Sequence, residues 1–216
     1  MKLKFKVLIL ILLLILVAVP VGINSTILDD NNTTQNSTTL LNVPDVKQPT
    51  NSSSGPTSLQ AVLVYYGTDV SVSKLINMTN TTENGTLPDN IAQTARELGF
   101  TADVKENLTL QDLQNNINQG TPVIILCQAW GNNSTNWAND TEDGHYMVVV
   151  GMDEKNIYFE DPAILGSRGY IPREEFLDRW HDLYLNQTGN NTTVNHLGII
   201  VTGGQAANLP PFVKIE

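Results

Sequence analysis

The chain has 216 residues and a formal net charge of -10, with a sequence pI near 4.6. An acidic surface repels a phosphate backbone, which argues against nucleic acid as a partner. The single cysteine, Cys127, excludes an intrachain disulfide.

Lys2, Lys4 and Lys6 precede an uncharged run, Val7 to Val21. Residues 1–23 are therefore expected to be a signal peptide or a membrane anchor, with the rest of the chain extracytoplasmic, either tethered or secreted. The run is long for a signal segment and short for a span. No clean small-x-small site follows Ala18, which favours the anchor. Residues 24–42 are mostly Asn, Thr and Ser, with no periodic apolar face, and read as a solvated linker. Asn-x-Ser/Thr acceptors fill this stretch and recur downstream, from Asn51 to Asn191. In an exported chain they can carry glycans, and a bias toward Asn and Thr explains them equally well. Residues 43–203 make one domain with a sizeable core, and 204–216 a C-terminal tail.

Within the domain, a turn-rich lead runs into an apolar stripe in QPTNSSSGPTSLQAVLVYYG, residues 48–67. Leu59, Val62, Leu63 and Tyr66 fall at helical spacing. Thr57 or Ser58 is expected to cap the helix, with Pro56 near its start. That leaves Ser54 and Gly55 at a helix N-terminus, where free N–H groups and the macrodipole favour negative charge. Helices are predicted over 72–78, 88–98 and 110–119, the last capped by Thr109, and again over 172–183. Strands are predicted over 101–104, 122–129, 145–152, 156–160 and 196–202, with a polar loop over 132–143. Helices first and a mostly antiparallel sheet after them define an α+β domain.

His145 opens one strand and Asp161 follows the next, sixteen residues on. A hairpin of that length brings its open ends together, so the imidazole and the carboxylate should be neighbours. Such a carboxylate orients the ring and stabilises its charged form. Singly, each residue reads more readily as a loop histidine or a turn aspartate than as a catalytic group.

Gln48, five residues, then Ser54-Gly55, an apolar helix and Tyr65-Tyr66-Gly67 resemble the start of the papain-like peptidases that cut double-glycine leaders for bacteriocin exporters, family 39 of the cysteine peptidases. The resemblance covers roughly 43–203 and implies a papain-like fold. It implies Gln48 as oxyanion donor, His145 as base, Asp161 as its partner, and peptide hydrolysis, possibly after Gly-Gly, with no cofactor. Phe176 and Trp180 also resemble a late helix of that family, and core packing at i, i+4 is their expected role. No exporter domain follows, so a stand-alone copy is expected. Ser54 stands where the family has its nucleophilic cysteine. Three readings stay open: a peptidase-like domain that binds peptides without cutting them, natural or engineered; a serine hydrolase; and a structural or cell-surface module with Ser54 a mere helix-start residue. Cys127 lies in the apolar run VIILCQ and reads as a buried small hydrophobe. His181 falls in the last predicted helix and His196 near a strand start, and no metal-ligand spacing is present.

Overall fold

The computed structural model describes residues 40–185, 190–208 and 214. The expected N-terminal segment and most of the linker lie outside these residues. The domain is α+β, with helices α1 (Ser54–Tyr65), α2 (Val72–Met78), α3 (Pro88–Glu97), α4 (Leu110–Asn118) and α5 (Arg173–Arg179). The strands are β1 (Thr101–Lys105), β2 (Val123–Gln128), β3 (Gly144–Met152), β4 (Asn156–Glu160), β5 (Gly169–Pro172), β6 (His181–Leu185), β7 (Asn191–Asn195) and β8 (Gly198–Thr202). The six-stranded sheet runs β1-β8-β2-β3-β4-β5, each neighbour antiparallel, and β6 and β7 form a separate hairpin.

Strands β2 and β3 are apolar almost throughout because both sheet faces are covered. Ile124, Leu126, Val148 and Val150 point toward Leu59, Val62, Leu63 and Ile91 of α1 and α3. Val123, Ile125, Cys127 and Val149 point the other way, toward Leu113, Ile117, Phe176 and Trp180. Of the expected caps, the one on α4 forms. Thr109 and Asp112 form a reciprocal capping box on α4, and Gly99 and Gly120 take positive φ just past α3 and α4.

Several expectations are corrected. The helix over 54–65 begins one turn early: Ser53 occupies the cap position and Thr57 lies inside, donating its hydroxyl to Ser53 O at 2.7 Å. Neither Thr57 nor Ser58 caps it; Pro56 sits in the first turn, where its missing N–H has no helical partner to lose. Tyr65 is buried, while Tyr66 ends the helix only partly covered. The helix expected over 172–183 stops at Arg179, and the chain turns into β6, so His181 opens a strand. Strands β5, β6 and β7 were not anticipated, and neither was a 3-10 turn at Trp137–Asn139. Packing also reaches past the expected domain limits: Leu41 N donates to Val150 O at 2.7 Å, and Ala207 N to Tyr65 O at 2.8 Å.

Candidate active site

The β3–β4 hairpin closes through Asp153, whose carboxylate accepts from Lys155 N and Asn156 N, both at 2.8 Å. With that turn fixed, Glu160 lies opposite Val148, and the open end of the hairpin carries His145 and Asp161. His145 Nε2 and Asp161 Oδ1 are 2.7 Å apart, and both side chains are buried. Asp161 Oδ1 also accepts from Ala163 N at 2.8 Å, and Oδ2 accepts from Trp130 Nε1 at 3.2 Å. The ring therefore turns Nε2 to Asp161, and Nδ1 lies on the side away from that carboxylate.

Ser54, the first residue of α1, reaches the same strand. Its Oγ accepts from Tyr146 N at 3.3 Å, one residue past His145. Close approach depends on Gly55, because a Cβ there would lie 2.9 Å from Ile91 Cδ1 and 3.2 Å from the Tyr146 ring. The Tyr146 hydroxyl completes the contact by donating to Thr86 O at 2.8 Å. Ser54 opens onto a cleft of about 300 Å³ lined by Glu83, Glu142, Tyr146, Asp182 and Tyr184, among others. On Asp161's side lies a second cleft of about 400 Å³, walled by Trp130, Ile164, Tyr170 and Arg179.

Gln48 comes in on an arm that runs along β4. Its backbone N–H donates to Pro162 O at 3.0 Å, next to Asp161, and its Nε2 to Thr50 O at 3.0 Å. An amide NH₂ has two hydrogens, so one remains for another acceptor. Thr50 is tied in turn to Ser53, which donates to Thr50 O at 2.8 Å. The arm is held by Glu160, which accepts from Val46 N at 2.9 Å and pairs with Arg168, while Arg168 also donates to Val43 O. Burial pushes the Glu160 carboxyl from its ordinary 4.5 up to about 7, against the opposing pull of the Val46 N–H and Arg168.

The remaining candidates fall away from this point. Cys127 is fully buried in β2, and desolvation pushes its thiol far up, so it has no thiolate to offer. Phe176 and Trp180 are core residues, their ring centroids 4.9 Å apart. His196 stacks on Trp180, and the His181 ring bonds to Asp140 O at 2.8 Å. Residues the sequence did not flag include Gln128, whose Oε1 accepts from Asp143 N at 2.9 Å and whose Nε2 donates to Asp182 Oδ1 at 2.8 Å and to His181 O at 3.1 Å. It docks the β6–β7 hairpin against the loop that leads to His145.

A helix N-terminus packed on an antiparallel sheet, with a His–Asp pair at the mouth of the central hairpin, defines the papain-like class of fold. The chain belongs to the Peptidase_C39 like family, whose model matches residues 40–187. Among curated proteins it is 30% identical over 130 residues to ComA of Streptococcus pneumoniae, a transport and processing ATP-binding protein. That match takes in 58% of this chain and spans only 16% of the relative's length. Similar solved structures include a C39-like peptidase from Bacillus anthracis, with a TM-score of 0.58 and 22% identity over 78% of this chain and 99% of that one. The peptidase domain of Streptococcus ComA gives 0.52 and 23%, over 72% and 95%. A double glycine motif protease from an AMS/PCAT transporter, solved with its leader peptide, gives 0.53 and 23%, over 75% and 92%. At these identities the structures speak for the fold.

Proposed function

We propose that this chain is an extracytoplasmic peptide-recognising domain built on cysteine-peptidase machinery, with Ser54 at the nucleophile's position. The observation that carries this is the buried 2.7 Å His145–Asp161 pair, which lies beside the residue whose backbone N–H holds Ser54 Oγ. In this reading His145 Nδ1 is the base for residue 54, and Asp161 holds the ring and stabilises its charged form. The second N–H of Gln48, with the free N–H groups at the start of α1, receives the oxyanion of a tetrahedral intermediate. His145 then returns its proton to the leaving amine. A thiol at residue 54 would ionise readily at a helix start beside an imidazole, whereas a hydroxyl does not. The serine thus favours recognition without efficient cleavage, and a non-catalytic binding or cell-surface module is the second reading.

The substrate class we infer is a peptide, with a Gly-Gly leader as the first to try, because a relative of this fold is a double glycine motif protease seen with its leader peptide. Extracytoplasmic placement rests on the three N-terminal lysines before an apolar run. The exposure of Asn51, Asn77, Asn84, Asn107 and Asn133 supports glycan attachment in an exported chain. Asn51 and Asn84 line the Ser54 cleft, so glycans there would obstruct a peptide.

Cleavage of a Gly-Gly peptide library by the Ser54 protein, by Ser54→Cys, and by Ser54→Cys with His145→Ala tests the proposal. The expected result is a large gain with Ser54→Cys and its loss without His145. No gain on any peptide would favour the binding module, and activity that survives loss of His145 would overturn the assignment of the base.

A further inference from the structure

The loop that leaves β2 begins with a backbone that does not suit its side chain. Trp130 has a φ of +66°, the left-handed region, where a bulky residue is a genuine outlier. Gly131 follows, and a Cβ there would lie 2.5 Å from Thr135 Oγ1 and 2.7 Å from Asp143 Oδ2. The turn is therefore tight, and glycine at 130 would make it without strain. Burial does not account for the tryptophan, because the residue is 60% exposed. Its side chain makes one polar contact: Nε1 donates to Asp161 Oδ2 at 3.2 Å. This is the second oxygen of the carboxylate whose first oxygen holds His145 and Ala163 N.

The carboxylate torsion of an aspartate is a soft, two-fold rotor. Donors on both oxygens fix its plane. We propose that Trp130 is a positioning residue for the His145–Asp161 pair: its indole N–H locks the Asp161 carboxylate with Oδ1 on the imidazole, and the strained turn is kept for that contact. Trp130 acts through Asp161 and meets no reacting atom. Only its consequence for catalysis rests on the peptidase reading; the lock itself does not.

The test is NMR of the full chain, ¹⁵N-labelled, as the parent, Trp130→Phe and Trp130→Gly, with thermal unfolding in parallel. The parent should show a Trp130 indole N–H that exchanges slowly despite its exposure, and that shifts in Asp161→Ala. The His145 Nε2 proton should exchange roughly tenfold faster in both Trp130 variants, as loss of one bond to a charged group allows. The melting temperature of Trp130→Gly should equal or exceed the parent's, because the strain is gone. In the Ser54→Cys background, Trp130→Phe should lower kcat with KM little changed. A His145 proton indifferent to Trp130→Phe would overturn the proposal and leave Trp130 a structural residue. A His145 proton that responds while Ser54→Cys cleaves nothing would uphold the lock and overturn the peptidase reading instead.

Discussion

Ser54 Oγ and Tyr146 N are bonded at 3.3 Å, so the first residue of α1 is joined to the strand that carries His145. A methyl at residue 55 would lie 2.9 Å from Ile91 Cδ1 and 3.2 Å from Thr86 Cβ and the Tyr146 ring, so these neighbours would have to shift for that contact to form. Gly55→Ala is expected to push α1 away from β3 and cost about 1–3 kcal/mol by overpacking. Urea unfolding measures the loss. An unchanged midpoint would mean that Ile91 and Tyr146 give way freely.

Glu160 makes stability depend on pH in a definite direction. Its carboxyl titrates near 7 in the folded chain against an ordinary 4.5. Between those values the folded state keeps a proton that the unfolded chain has released, so this residue's contribution is full below about 4.5 and is lost as pH rises toward 7. Glu160→Gln should remove that decline. The unfolding free energies of parent and variant, compared at pH 5 and pH 8, should show the variant gaining on the parent as pH rises. Parallel curves would contradict the assignment.

Gln128 joins β2, the loop at Asp143 and β6, and the His181 ring adds a second tie from β6 to that loop, at Asp140 O. Gln128→Leu would strip a donor from the buried Asp182 carboxylate and an acceptor from Asp143 N, at about 1–3 kcal/mol for each group left unpaired. Hydrogen exchange should quicken first in β6 and β7. Uniform quickening across the whole sheet would show that Gln128 stabilises the fold globally instead.

The elements that build the site were the readable ones. The stripe of Leu59, Val62 and Leu63 has a helical period, and β3 and β4 are apolar runs joined by a three-residue turn, so the sequence itself places His145 and Asp161 together, as the fold does. The β6–β7 hairpin was not readable. Phe176, Trp180 and Leu183 continue a helical spacing, and what ends the helix is tertiary: Trp180 fills the core, and the His181 carbonyl is taken by Gln128, 53 residues away. Trp130 gave no local sign either. Its left-handed backbone and its bond to Asp161, 31 residues on, exist only in the folded chain.

The central claim, that residue 54 sits at a helix start beside an imidazole held by Asp161, is tested most directly by the thiol pKa of Ser54→Cys. The background is Cys127→Ala, so that one thiol is titrated, and the readout is alkylation rate against pH. The account predicts a pKa lowered from about 8.5 into the range of roughly 3.5–7.5, and a return toward 8.5 when His145→Ala is added. A thiol that titrates at about 8.5 or above with His145 in place would contradict it.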